Sequence, residues 1–145
     1  MSKVQEILAN KGSTVYQIDQ SATVFDAAVR MNEYKIGALV VVENGRVVGI
    51  ITERDVLSRV VAEKRAADKT PVASVMSTQV ACSRPTMSID EARTIMRDRK
   101  IRHLPVVDDE DQLLGMISIG DLNAYRLDGQ AQTIHYMTEY IYGQT

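Results

Sequence analysis

The sequence predicts an α/β (α+β) fold built from two pseudo-symmetric β-α-β-β-α repeats, with a short helix at each end of the chain. Three observations predict this fold. Residues such as Met31 and Met96 recur 65 positions apart. Each half contains two apolar, β-branched runs joined by a short polar turn, which is typical of a hairpin. Each hairpin ends in the same elbow, in which an apolar strand is followed by a hydroxyl residue and, three positions later, an aspartate. The predicted boundaries are 1–12 for the N-terminal helix, 13–70 for the first repeat, 71–128 for the second repeat and 129–145 for the C-terminal helix.

The first half can be assigned element by element. Residues 15–18 are predicted to form a short strand. Thr23 and Asp26 predict a helix start, because each side chain can bond the backbone N–H of the other residue. Residues 38–42 form a continuous apolar run, as in a strand that is buried on both faces. The pair Asn44-Gly45 predicts a tight hairpin, since both residues tolerate a positive φ. The return strand ends at Thr52, where another helix begins.

The second half repeats this order. Ser88 and Glu91 predict a capping box at the start of a helix. After the second hairpin the spacing between the halves becomes 66, as between Asp55 and Asp121, so the longer acidic turn holds one extra residue. A constant register over a whole repeat indicates a duplication. The predicted strands of this half are residues 80–82, 104–107 and 113–117.

Composition restricts the possible functions. The 145 residues carry a net charge of −2, which argues against a nucleic-acid surface, because neutralising phosphates needs clustered Lys and Arg. The sequence shows no apolar run of membrane-spanning length and no signal peptide. One cysteine and two histidines show no metal-ligand spacing, and both the dinucleotide fingerprint and the P-loop are missing. We therefore expect a cytoplasmic protein that is not an enzyme, and that has no metal, nucleic-acid partner or membrane partner.

Two stretches in register carry a family resemblance. Residues 35–42 with 49–55, and residues 100–107 with 115–121, resemble the CBS domain, and the chain resembles a stand-alone tandem CBS pair, or Bateman module. The resemblance implies two repeats packed through their sheets about a pseudo-twofold axis, and a flat homodimer with helices at its interface. It also implies binding of adenosine-containing ligands such as AMP, ATP, NAD or S-adenosylmethionine in the clefts between the repeats. Such a module would sense energy or redox state for an effector protein that the sequence does not name.

The elbows contain the residues that would bind such a ligand. A carboxylate at a helix start can accept both hydrogens of a ribose diol, and this predicts ribose contacts for Asp55 and Asp121. A hydroxyl beside free helix amides suits a phosphate oxygen, and this predicts ribose or phosphate contacts for Thr52 and Ser118. Arg54 is either a phosphate ligand or a surface charge.

By the same resemblance, Arg102 and His103 reach ligand phosphates, and Pro105 belongs to the same binding segment. Alternatively, Arg102 is a solvated surface residue and His103 a neutral imidazole with its hydrogen bonds satisfied. The first repeat has uncharged residues at the places of Arg102 and His103, and a valine at the place of Pro105. The two sites are therefore expected to differ, for instance with AMP at one and NAD(H) at the other.

Two further interpretations remain open at this point. In the first, Asp55 and Asp121 act only as helix caps, and the chain is a ligand-independent dimerisation or interaction module. In the second, the chain is a small enzyme that uses a bound nicotinamide, for which His103 is the only acid or base available.

Overall fold

The computed structural model of the chain describes residues 2–11 and 16–128, and of 126–128 only the backbone. These residues fall into two compact units. The first unit contains residues 16–80 and 109–113, and the second contains residues 2–11, 81–108 and those from 114 onward. The first half contains, in chain order, α1 (Val4–Lys11), β1 (Gln17–Asp19), α2 (Val24–Tyr34), β2 (Ala38–Glu43), β3 (Arg46–Thr52) and α3 (Glu53–Val56), which is continued by a π-helical turn (Leu57–Val61). Two short 3₁₀ helices follow (Ala67–Lys69 and Val72–Ser74). The remaining elements are α4 (Ile89–Arg99), β4 (His103–Val107), β5 (Leu113–Ser118) and α5 (Ile119–Asp128).

The first unit is organised around a three-stranded sheet in the order β1-β2-β3. Strand β1 is parallel to β2, and β2 is antiparallel to β3. The predicted tight hairpin is confirmed, since Asn44 and Gly45 have φ angles of 53° and 81°. Thr23 and Asp26 form the predicted capping box of α2. The core includes buried residues of α2, β2 and β3, among them Ala27, Leu39 and Ile51.

The second unit has a two-stranded sheet, β4-β5, covered by α1, α4 and α5. The helix predicted at the N-terminus is present as α1, whereas residues 129–145 lie outside the described part of the chain. At the start of α4, the Ser88 hydroxyl accepts a hydrogen bond from Glu91 N, but the Glu91 side chain does not bond Ser88 N, so only half of the predicted capping box is present. Val4 and Ile7 of α1 lie in one core with Ala92, Leu104 and other apolar residues. The predicted mixed α/β fold, with a sheet and helices in each half, is confirmed.

The prediction of a strand at residues 80–82 was wrong. The second unit has only an isolated parallel bridge there, between Ser83 and Val106. In the first unit, Val40 N donates to Tyr16 O as β1 pairs with β2. Pro105 stands at the place of Val40 and has no N–H, so the matching bond to the carbonyl of Ala81 cannot form. At the other end of the pairing, Gln20 N donates to Val42 O in the first unit, and Pro85 at the place of Gln20 also has no N–H. The loss of a donor at each end explains why the strand shrinks to one bridge.

Residues 72–76 in the first unit and helix α1 in the second unit make matching backbone hydrogen bonds. Val72 N donates to Ala22 O at 2.8 Å in the first unit, and Val4 N donates to Met87 O at 2.9 Å in the second. Val4 and Val72 are both fully buried. Helix α1 is thus the counterpart of residues 72–76, with a spacing of 68 positions. Within residues 2–11 and 16–128, no helix combines the length and apolar character needed to cross a membrane.

Candidate functional site

The elbow of the first unit holds its aspartate by a reciprocal pair of hydrogen bonds. Thr52 N donates to Asp55 Oδ2 at 2.9 Å, and Asp55 N donates to Thr52 Oγ1 at 3.1 Å. This capping box satisfies two amides at the start of α3 and fixes the carboxylate in one orientation. The side chain of Asp55 is 16% exposed. The elbow therefore presents an oriented, accessible carboxylate.

The elbow of the second unit repeats this arrangement at α5. Ser118 N donates to Asp121 Oδ2 at 2.8 Å, and Asp121 N donates to Ser118 Oγ at 3.1 Å. The side chain of Asp121 is 24% exposed. The structure thus brings each predicted hydroxyl residue together with its predicted aspartate. It also shows that both pairs act as helix caps, which the cap-only interpretation requires and the ligand interpretation allows.

The cations next to the two aspartates differ. Lys11 Nζ lies 2.7 Å from Asp121 Oδ2 and also donates to Met116 O at 2.9 Å. In the first unit, Arg59 Nε lies 3.9 Å from Asp55 Oδ1, four residues further along the same helix, and Arg59 also donates to Val75 O. The sequence analysis missed both cations. Lys11 could have been found by extending the repeat alignment to α1, and Arg59 by its i, i+4 spacing from Asp55.

The strand that precedes each elbow sets a different electrostatic environment. His103 begins β4 and is partly buried. Burial lowers the pKa of its imidazole below the usual value; the charge of Asp121 opposes this shift, and the charges of Lys11 and Arg102 add to it. Arg102 is exposed, and its carbonyl accepts a hydrogen bond from Ile119 N at the start of α5. These interactions place His103, Asp121 and Lys11 in one electrostatic cluster.

At the matching place of the first unit, Glu53 N donates to Gly37 O. The Glu53 carboxylate lies over Gly37, so that a Cβ on Gly37 would be 3.3 Å from Glu53 Oε1. Arg54 is exposed. The first elbow thus has Glu53 with two arginines, Arg54 and Arg59, whereas the second has Lys11 beside its aspartate and His103 and Arg102 on the preceding strand segment. The predicted inequality of the two elbows agrees with these positions, but the ligand roles of the residues stay predictions.

Pro105, the remaining predicted site residue, is buried in β4. It shapes the backbone of the second unit, as described above, and its predicted place in a ligand site stays a prediction. A concavity of about 430 Å³ in the second unit is lined by Lys3, Arg84, Thr86, Met87, Ser88 and Glu91, none of which was predicted to bind a ligand. In the described part of the chain, no group of three or more His, Cys, Asp or Glu side chains is arranged to hold a metal ion.

Comparison with known proteins places this geometry in a family. The model of the CBS domain matches residues 6–62 and 72–128, one match for each repeat. The chain belongs to the CBS domain family. Its two CBS domains confirm the predicted tandem pair, and each match contains one of the two elbows.

Relatives of similar length share this organisation. The CBS domain-containing protein YhcV of Bacillus subtilis is 34% identical over 131 residues, which cover 90% of each chain. A solved structure of a protein with CBS domains from Burkholderia ambifaria is 39% identical with a TM-score of 0.81, covering 89% of this chain and 96% of that one. The CBS domain protein PAE2072 of Pyrobaculum aerophilum, solved in complex with AMP, is 26% identical with a TM-score of 0.73, covering 82% of this chain and 88% of that one.

Proposed function

We propose that this CBS pair is a non-catalytic regulatory module that binds adenosine-containing nucleotides at its two elbows. Binding stabilises one conformation through its differential affinity, and an effector protein reads that conformation as a signal of energy or redox state. The observation that carries the proposal is the pair of oriented aspartates, Asp55 and Asp121, each held by its own capping box.

The capping boxes leave acceptor capacity for a sugar. A carboxylate offers about four lone-pair sites, and each capping box uses one of them. The orientation is fixed before any ligand arrives, so little side-chain freedom is lost on binding. Two hydroxyl donors from a ribose diol would complete the carboxylate with charge-assisted hydrogen bonds. The AMP complex of the relative PAE2072 supports an adenine nucleotide as the ligand.

The two elbows favour different ligands. At the second elbow, Lys11 and Arg102 have no acidic neighbour at the place of Glu53, where the chain has Ile119, and this favours a ligand with more phosphate charge. At the first elbow, Glu53 offsets one of the two positive charges of Arg54 and Arg59. AMP at one elbow and a dinucleotide such as NAD(H) at the other agrees with this difference.

Thermal unfolding with a panel of AMP, ADP, ATP, NAD, NADH and S-adenosylmethionine tests the proposal. A ligand at 100 times its Kd adds about 2.7 kcal/mol to the stability of the folded state, which gives a measurable rise in Tm. The informative variants are Asp55→Asn and Asp121→Asn. Asparagine keeps an oxygen for the capping box but loses the charge and places an amide donor near the diol. We expect each variant to weaken binding at its own elbow by about 10- to 100-fold.

The cap-only alternative makes the opposite prediction. If no nucleotide raises the Tm of the wild-type protein, or if the double variant keeps every nucleotide-induced shift, the carboxylates do not bind ribose. The chain would then be an interaction module. NADH oxidation with candidate acceptors would instead support the enzyme interpretation.

We also propose that the helices of the first repeat mediate homodimerisation. Phe25 and Val29 on α2 are 53% and 47% exposed, and Leu57 and Val61 on the π-helical turn are 63% and 62% exposed. Helices α2 and α3 contact each other within the first unit, and each pair is spaced i, i+4, so each forms an apolar stripe. The second repeat has Asp90, Thr94 and Asn123 at the places of Phe25, Val29 and Leu57. A self-complementary contact across a twofold axis would bury the stripes of two copies against each other.

Sedimentation equilibrium tests this contact. The substitutions Phe25→Asp and Leu57→Asn install the residues found at the same places of the second repeat, and we expect the double variant to dissociate into monomers. Thr94→Asp on α4 is the matched control and should leave the mass unchanged. A double variant that retains the wild-type mass would contradict the proposal.

A further inference from the structure

Lys11 is held by two acceptors that the proposed ligand site also uses or adjoins. It is the last residue of α1, and its ammonium donates to Asp121 Oδ2 at 2.7 Å and to Met116 O at 2.9 Å. Its side chain is 36% exposed, so the ammonium is accessible from solvent. An ammonium has three N–H donors, and these two bonds leave the third available to a ligand.

Counting lone pairs distinguishes the two aspartates. Oδ2 of Asp121 accepts from both Ser118 N and Lys11 Nζ, which fills its two sites. Among the described residues, none donates a hydrogen bond to Oδ1 of Asp121, so that oxygen alone remains for a sugar. Oδ2 of Asp55 accepts only from Thr52 N within the described chain, and Arg59 at 3.9 Å is beyond hydrogen-bond range. A diol can therefore bridge both oxygens of Asp55, but it can bridge both oxygens of Asp121 only if Lys11 moves away.

The path of the chain explains this difference. In the first unit, the chain after the docked segment is extended, and Ser77 N donates to Ile50 O at 2.9 Å. Met116 corresponds to Ile50, and its carbonyl accepts from Lys11 Nζ instead. Because α1 continues as a helix to Lys11, a side chain rather than the backbone bonds this carbonyl. The residue that corresponds to Lys11 in the first unit is Gln79, which has no charge.

We propose that Lys11 is a specificity-determining residue of the second elbow, which accepts phosphorylated nucleotides and discriminates against nucleosides. This inference rests on the proposed function, because it assumes that Asp121 binds the sugar. A neutral nucleoside must break the contact between Lys11 and Asp121 and offers the ammonium no anion in return. A nucleotide offers a phosphate oxygen, and the flexible four-carbon side chain of lysine can turn from Asp121 to that oxygen. Lys11 therefore leaves the Asp121 carboxylate, and frees it for the ribose, only when a phosphate is present to bind the ammonium.

Isothermal titration with AMP and with adenosine tests the proposal. The protein carries Asp55→Asn, which weakens binding at the first elbow, so that the tighter binding event in the titration reports on the second elbow. We expect AMP to bind this protein more tightly than adenosine. Adding Lys11→Gln, which installs the residue of the first repeat, should raise the affinity for adenosine by about three- to tenfold and reduce the preference for AMP. Lys3→Gln is the matched control, because it removes the same charge from the same segment, and it should leave the preference unchanged.

The outcomes separate this proposal from the one on which it rests. If neither ligand binds the wild-type protein and no other nucleotide of the panel raises its Tm, the proposed function fails. If another nucleotide of the panel raises the Tm but AMP does not bind, only the role of Lys11 is overturned. If both bind the wild-type protein, but the ratio of the two affinities is the same with and without Lys11→Gln, only the role of Lys11 is overturned. If adenosine fails to bind the protein that carries both Asp55→Asn and Lys11→Gln, the role of Lys11 is overturned as well. If Lys11→Gln fails to fold, Lys11→Met replaces it, because methionine has a side chain of similar length without the charge. An unchanged ratio of the two affinities, or no binding of adenosine, would again overturn the role of Lys11.

Discussion

The two elbows of the molecule share their backbone geometry and differ in the cation that meets the aspartate. Asp55 and Asp121 are held by capping boxes whose hydrogen bonds agree within 0.1 Å or less, at 2.9 and 3.1 Å in one and at 2.8 and 3.1 Å in the other. The cation at Asp55 comes from the next turn of the same helix, whereas the cation at Asp121 comes from α1, 110 positions earlier in the chain. The capping box is therefore the same in both repeats, while the cation that contacts the aspartate differs.

This difference shows where a duplicated fold can acquire unequal sites. The capping box depends on two residues three positions apart, so it is conserved between the repeats as long as the helix begins there. The edge of the strand that precedes each capping box needs a hydrogen-bond donor, but either a backbone N–H or a side chain can supply it. Ser77 N fills this role for Ile50 O, and Lys11 Nζ fills it for Met116 O. Changing the donor from backbone to lysine adds a charge next to the carboxylate without altering the core.

The largest expected effects test whether the two cores are equivalent. Leu39 and Leu104 occupy matching places on β2 and β4, and both are fully buried. We expect Leu39→Ala and Leu104→Ala each to cost about 2–5 kcal/mol, because each removes buried methyl groups and leaves a cavity. Urea unfolding measures both values. A cost below about 1 kcal/mol at one site would show that the similarity of the repeats does not extend to their packing.

The strand that precedes each elbow contains a glycine with close neighbours. A Cβ on Gly49 would lie 2.6 Å from Met76 Sδ and 2.9 Å from the carbonyl oxygen of Ser77, whereas a Cβ on Gly115 would lie 2.8 Å from the tip of Leu8. A side-chain tip can turn away, but a backbone carbonyl held in a bridge cannot. We expect Gly49→Ala to cost about 2–3 kcal/mol and Gly115→Ala about 1 kcal/mol in the same unfolding experiment. The reverse order would contradict the assignment of the edge at Ser77.

A smaller effect is expected at the two caps. Thr52→Ala and Ser118→Ala each remove the hydroxyl that accepts from the aspartate N–H, and each should cost about 1 kcal/mol of unfolding free energy. Equal losses would support the equivalence of the two capping boxes. A loss at Ser118 well above that at Thr52 would show that Lys11 depends on the cap for its contact with Asp121. Thr78→Ala, at an exposed position outside both elbows, removes a hydroxyl that makes no hydrogen bond within the described part of the chain and serves as the control.

The sequence predicted the parts of the structure that depend on residues close together in the chain. Thr52 with Asp55, and Ser118 with Asp121, follow from a spacing of three, and the tight hairpin follows from Asn44-Gly45. These predictions succeed because each of them needs only local backbone geometry. The repeat spacing then extended them to the whole fold.

The features that the sequence analysis missed depend on contacts between distant segments. The 80–82 strand failed because Pro105, more than 20 positions away, removes one donor that the parallel pairing needs, while Pro85 removes the donor at the other end. Lys11 was missed because the sequence pattern of a lysine at the end of an amphipathic helix indicates a solvated charge. Its contact with Asp121 exists only because α1 packs in the second unit. The position of α1 in the second unit depends on its hydrogen bond to Met87 O, which matches the bond from residues 72–76 to Ala22 O in the first unit.

His103 can titrate, whereas Ala38, which occupies the matching place in the first repeat, cannot. Burial holds the pKa of His103 below 6.5, so that the unfolded chain takes up a proton before the folded protein does. The stability that the neutral imidazole contributes is therefore complete above pH 6.5 and is lost as the pH falls through the folded pKa. His103→Gln should make the unfolding free energy less dependent on pH in this range.

NMR titration of the His103 ring connects this effect to the second elbow. Lys11→Gln removes a positive charge that lowers the pKa of His103, so we expect that pKa to rise. Asp121→Asn removes a negative charge that raises it, so we expect the pKa to fall further below its usual value. His103→Gln assigns the resonance, and Lys3→Gln controls for a general loss of charge. Opposite shifts of the His103 pKa in the two variants would establish that Lys11 and Asp121 both act on His103. Shifts of the same sign would contradict this.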